Sequence, residues 1–218
     1  MELFTKKNMK YPVYENILNL MKFQNITIIT PIISIEKLQT LHFTIIHGEK
    51  KVDKDLPLSK YIFIYIFSDN TSYYKSAAII KIISDIPEIS KSTRNYTIDC
   101  RIIIDKSAHK LLSNHISKVS DETPSSYIRY LLIDPHILYI DILQHNLVNY
   151  KYKIISDEKE KEELYTLLHL NKYNDKWNVN FPEISYNDPI SIWCGLQINE
   201  ILYYDGKYRI CVAKKMPD

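Results

Sequence analysis

The residues with the best claim to chemistry in this chain are Asp99, Asp105 and Lys106, which flank the strand-like run Arg101-Ile102-Ile103-Ile104. Two carboxylates near a strand can hold Mg²⁺ while a lysine steadies an attacking water, the arrangement of a metal-dependent nuclease. Asp and Lys at strand ends are also ordinary solvated residues, so the pattern alone does not select that reaction. His109, His115, His136 and His145 are scattered, with no i,i+4 pair among them, and read as structural or surface histidines. Cys100, Cys194 and Cys211 are odd in number and widely spaced. That argues against a disulfide scaffold or a four-cysteine metal knuckle and for a reducing compartment. Cys194 reads as buried, not nucleophilic. No Ser–His–Asp order has a supporting motif. Gly48, Gly195 and Gly206 are the only glycines, too few and too far apart for a phosphate-cradling loop. We therefore assign no catalytic residue, metal site or cofactor to this chain from its motifs.

Lys7, Lys10, Lys106 and Lys110 could touch a phosphate backbone, and tyrosines could stack bases. The formal net charge is only +2, below that of a dedicated DNA-coating protein. Any nucleic-acid contact is expected to be local. The start lacks the apolar stretch of a secretory signal. No apolar run approaches the roughly 20 residues of a membrane span. The three glycosylation-like triplets at Asn25, Asn70 and Asn95 are read as chance.

The elements that must position these residues follow from periodicity. The chain has 218 residues, 45% of them apolar, enough for one large core or two small ones. Residues 12–22 read as a first helix, with Pro12 in its first turn and Val13, Ile17, Leu20 and Met21 inward. Residues 25–33 read as extended, and Ser34 as the cap of a short helix through Leu41. The run Tyr61–Phe67 reads as a strand buried on both faces, 71–83 as a helix, 101–105 as a second central strand and 107–117 as a helix. Residues 49–57 and 120–126 read as polar loops, and 136–143 as a third strand. Strand, helix, strand, helix, strand implies an α/β domain ending near residue 143.

The remainder reads as a small mixed domain. Ser156 is expected to cap an acidic-started helix whose apolar side is Leu164, Leu167, Leu168 and Leu170. Residues 171–180 read as polar and turn-like. Asp188 is expected to cap a helix that starts at Pro189, places Ile190 and Trp193 on one core and stops at Gly195. Asp205-Gly206 predicts a two-residue hairpin turn. The register pairs Tyr204 with Lys207, Tyr203 with Tyr208, Leu202 with Arg209 and Ile201 with Ile210, and turns Arg209 away from the Ile201 face. The fold class is thus α+β: an N-terminal α/β domain over 1–143, then a mixed domain over 144–218 with a C-terminal hairpin.

From His145 onward these pieces fall in a known order. His145, Leu147 and Val148 stand where one family has a His-x-Leu-Val-Pro-x-His strand. A Ser/Asp/Glu helix start and Leu167-Leu168 follow. Phe181-Pro182-Glu183-Ile184 stands for Leu-Pro-x-Ile, Asp188-Pro189 and Gly195-Leu196 keep that family's separation, and Tyr208-Arg209 lies in the closing strand. The chain resembles the small (fifth-largest) subunit shared by eukaryotic nuclear RNA polymerases, a family with shorter archaeal relatives. The resemblance covers about 75 residues. Asn149 replaces the motif proline, Lys151 its second histidine, and Asn199 a usual glycine; a Ser/Thr-rich loop gives way to Asp205-Gly206.

The resemblance implies a non-catalytic subunit of a multisubunit DNA-directed RNA polymerase, acting in transcription. Residues 144–218 would assemble on the largest subunit, which would hold the Mg²⁺. Residues 1–143 would form a jaw near downstream double-stranded DNA, with Lys106, Ser107 and Lys110 toward it and any contact weak or indirect. Pro182, Asp188, Pro189 and Gly195 would set shape, Tyr208 and Arg209 would lie near the partner, and His145, Leu147, Val148 and Phe181 would bind the partner or set shape. Archaeal members lack the jaw, so the chain looks like the eukaryotic or large-DNA-virus type. Nuclear location is implied if it is cellular, virion and host cytoplasm if it is viral. The alternatives are a Mg²⁺-dependent nuclease on the N-terminal domain, or an interaction module of another complex.

Overall fold

The computed structural model describes residues 6–50, 59–67, 81–85, 97–122, 128–139, 152–173 and 176–213. The chain divides into two compact units, Met1–Asp141 and Ile142–Asp218. Together they form a mixed α/β structure closed by an antiparallel hairpin.

In the first unit, helix α1 (Lys6–Phe23) precedes strand β1 (Thr27–Ile28), helix α2 (Ile35–Thr40) and strands β2 (Phe43–Lys50), β3 (Ser59–Ile66) and β4 (Thr97–Ile103). A 3₁₀ turn at Lys106–Ala108 leads into α3 (His109–Glu122). Strand β5 (Ile128–Ile133) and a second 3₁₀ turn at Pro135–Leu138 follow. The sheet order is β1-β2-β3-β4-β5. The first three strands pair antiparallel and the last three parallel.

Side chains alternate across these strands, and both faces are buried. On one face Ile62, Ile64 and Ile66 meet Ile98, Cys100, Ile102, Ala108 and Leu112. The other face carries Tyr61, Phe63, Asp99 and Arg101, because register pairs Tyr61 with Asp99 and Phe63 with Arg101. Helix α1 lies on this second face. A Cβ added at Gly48, the partner of Tyr61, would stand 2.6 Å from Met21 Cε and 2.5 Å from Ile26 Cγ2. Glycine here leaves room for the side chains of Met21, at the end of α1, and of Ile26, just after it.

Several expectations need correcting. Helix α1 starts at Lys6, so Pro12 lies inside it and forgoes one backbone hydrogen bond. Only Thr27 and Ile28 of the 25–33 stretch form a strand. Residues 43–50, partly read as loop, form β2. Ser120–Glu122 belong to α3. The third parallel strand is Ile128–Ile133; of the strand expected over 136–143, His136–Leu138 lie in a 3₁₀ turn and residues 140–143 lie outside the described residues. Asp134 Oδ1 accepts from the His136 N–H and folds Pro135–Leu138 into a 3₁₀ turn. Of the helix expected over 71–83, residues 81–83 are helical and the rest lie outside the described residues.

The second unit contains β6 (Tyr152–Ile155), α4 (Glu158–Leu167), a small β7–β8 pair (Lys172–Tyr173, Lys176–Trp177), β9 (Glu183–Ser185), α5 (Pro189–Cys194), β10 (Ile201–Tyr204) and β11 (Lys207–Val212). The sheet order is β6-β10-β11-β9, with only β9 and β11 parallel. Its hairpin register is the expected one at all four pairs. Each face has its own core. Leu202, Cys211 and Ile184 pack with Cys194 and Leu196 of the α5 region, while Ile155 and Ile201 pack with Leu164 and Tyr165 of α4. Asp157, not Ser156, caps α4, its Oδ1 accepting from the Glu160 N–H. Leu167 is 72% exposed and Leu168 also faces solvent, so the expected leucine side reaches the core through Leu164 and Leu170.

Candidate functional site

The segment Pro182–Gly195 is built from short local devices. Asp188 Oδ1 accepts from the Ile190 N–H at 2.9 Å, and Pro189 occupies the first helical position, where no N–H is needed. Gly195 has φ 73, and the Gly195 and Leu196 N–H groups close on the Ile192 and Ser191 carbonyls. That is the paired-bond, left-handed stop that favours glycine. Trp193 is fully buried. Ile190 packs against the Ile184–Cys194–Leu196 core. Burial pushes the Cys194 thiol up to about 12, with Asp188 adding to the shift; the sulfur stays protonated and unreactive near neutral pH.

Around this helix the backbone is stitched to β11. The Pro182 carbonyl accepts from the Ile210 N–H at 3.0 Å, and the Asn199 N–H donates to the Cys211 carbonyl at 2.8 Å. Asn199 has φ 70, a conformation glycine enters freely and asparagine tolerates better than other residues. Phe181 stacks on Tyr208 with centroids 5.6 Å apart, and Tyr208 meets Tyr203 at 4.9 Å. Arg209 is half-buried and shares its sheet face with Leu202, its register partner. His145, Leu147 and Val148 lie outside the described residues.

In the first unit, Lys106, Ser107 and Lys110 are exposed at the start of α3. Asp105 Oδ1 accepts from the Ser107 backbone N–H at 3.0 Å and from its hydroxyl at 2.7 Å. Asp105 is therefore a turn cap. Asp99 is drawn elsewhere. It accepts from Arg101 Nε at 3.2 Å, from Arg101 Nη2 at 3.3 Å and from Arg129 Nη2. Burial drives the Asp99 carboxyl up, but the Arg101 and Arg129 charges and their hydrogen bonds outweigh it and leave the group below the usual carboxylate range. Six positions of extended chain separate Asp99 from Asp105, on the order of 15–20 Å, so the structure does not bring the two carboxylates together. Among the described residues no group of three or more His, Cys, Asp or Glu side chains could share a metal ion.

Sequence reasoning missed Arg101 and Arg129. Asp99 and Arg101 are two apart on one strand, which already places them on one face; Arg129 becomes legible only with β5. The Arg101 guanidinium lies between the Tyr61 and Phe63 rings, 5.4 and 5.2 Å from their centroids. Among the described residues no helix is long and apolar enough to cross a membrane. Compared with known proteins, the chain matches no protein-family model and no curated protein.

Proposed function

We propose that this chain is a non-catalytic subunit of a multisubunit DNA-directed RNA polymerase, in which residues 144–218 help assembly on the largest subunit and residues 1–143 form part of a jaw beside downstream duplex. The observation that carries the reading is Asn199. The polymerase-subunit family has a glycine at this point, and here the asparagine stands at φ 70, the backbone conformation that favours glycine. The neighbouring shape-setting positions support the same reading: Asp188 caps, Pro189 opens and Gly195 stops one short helix. In this role Arg209 and Tyr208 of β11 lie near the partner surface, and Lys106, Ser107 and Lys110 face the duplex. The Mg²⁺ chemistry belongs to the largest subunit.

Affinity capture of the chain from its native source, followed by mass spectrometry, tests the proposal. Recovery of both large polymerase subunits in equal amounts is the expected result. Their consistent absence overturns it.

A further inference from the structure

The Asp99 cluster contains an imbalance that its own residues do not resolve. Among the described residues two guanidiniums share this one carboxylate, which leaves one positive charge over. Arg101 Nη2 and Arg129 Nη2 both donate to the same oxygen, Asp99 Oδ2, which brings the two cations side by side. Arg101 is 1% exposed, yet among the described residues its Nη1 has no hydrogen-bond partner. An unpaired donor on a buried charge is costly, and the flanking rings offset only part of that cost. Side-chain exposure then rises outward, from 2% at Arg101 through 12% at Asp99 to 38% at Arg129. One row further, the Ser59 and Thr97 hydroxyls share an exposed hydrogen bond of 2.8 Å on the same sheet face.

We propose that this face holds an oxyanion site for a phosphate-type group, with Arg101 Nη1 and the outward N–H groups of Arg129 as donors. Asp99 already occupies the planar fork of Arg101. The donors left over come from guanidiniums on two strands, and they suit an acceptor whose oxygens point in several directions. The site is independent of the polymerase reading.

The test is titration of the full-length protein with inorganic phosphate at fixed ionic strength, read by calorimetry and by the melting temperature against potassium chloride. Saturable phosphate binding is expected, weakened about tenfold or more in Arg129→Gln, as for loss of one charge-assisted hydrogen bond. Lys37→Gln, on an exposed lysine of α2 outside this cluster, should bind as the parent does. Should Arg129→Gln not fold, Arg129→Lys is read by the same criterion, because it keeps the charge and loses the fork. No phosphate effect beyond chloride, equal binding by the Arg129 variant, or equal binding of acetate would each overturn the proposal.

Discussion

At Asp99, two guanidiniums decide the protonation state against burial. The folded carboxyl titrates below an unfolded aspartate, which titrates near about 3.9. Its stabilisation is therefore complete above about pH 4 and is lost as pH falls through the folded value. Asp99→Asn leaves Arg101 buried without an anion, and an expected loss of about 3–5 kcal/mol follows. Urea melts at pH 7 should show it, and the variant's acid dependence below about pH 4 should be flatter than the parent's. An unchanged urea midpoint would show that the cluster does not matter to stability. Ser191 makes the opposite case. It is 1% exposed and among the described residues its hydroxyl has no partner. Ser191→Ala should leave stability unchanged or raise it by up to about 1 kcal/mol. A clear fall in melting temperature would reveal a hidden acceptor or an ordered water at that oxygen.

Among the elements, the same device is legible in one place and missed in another. Asp188-Pro189 reads as a helix start because Gly195 marks the stop. Asp134-Pro135 has the same capped, proline-opened form, but the β-branched residues after it suggest a strand. Local propensity loses there to a side-chain cap. Strand β5 escapes because Ile128–Ile133 has no clean alternation, a result of its place in a parallel sheet buried on both faces. Strand β2 escapes because Gly48, Glu49 and Lys50 look like loop; what crowds the glycine is the Ile26 and Met21 side chains, more than twenty residues away in sequence, which no local pattern can announce. The hairpin is fully legible since Asp205 and Gly206 both take positive φ, 51 and 71, as that turn demands. A Cβ at Gly206 meets nothing within 4 Å, so Gly206→Val is a test of backbone strain alone. It should cost about 1–2 kcal/mol, and Gly206→Asn much less. Equal melting temperatures for the two variants would contradict this.

At the scale of the whole molecule, the two compact units have separate cores, one on the β3–β4 strands and others on the β10–β11 sheet. Changes in different units should then act independently. The combined Asp99→Asn, Gly206→Val protein is expected to lose the sum of the single losses within about 0.5 kcal/mol. A larger deviation in chemical denaturation would show that the units are coupled. The candidate site is legible in the same uneven way. The capped helix and hairpin lie within a few residues of their own signals. The Asp99 cluster draws on β3, β4 and β5, and needs the strand order before its residues can be placed together.

The tight turn at Asp205-Gly206 also has a consequence in time. Strands β10 and β11 are joined by two residues, and closures of this kind take on the order of 1–10 μs. The β6 and β9 strands that flank them pair at separations of 46 to 52 residues (Ile201 with Ile155, Tyr204 with Tyr152) and of 27 residues (Ile210 with Glu183), and loop closure slows with that separation. The hairpin can therefore stand as the template on which the outer strands assemble. Gly206→Val should then slow refolding more than it speeds unfolding. Stopped-flow measurements on the two limbs would decide it, and a change confined to the unfolding rate would place the hairpin late on the path.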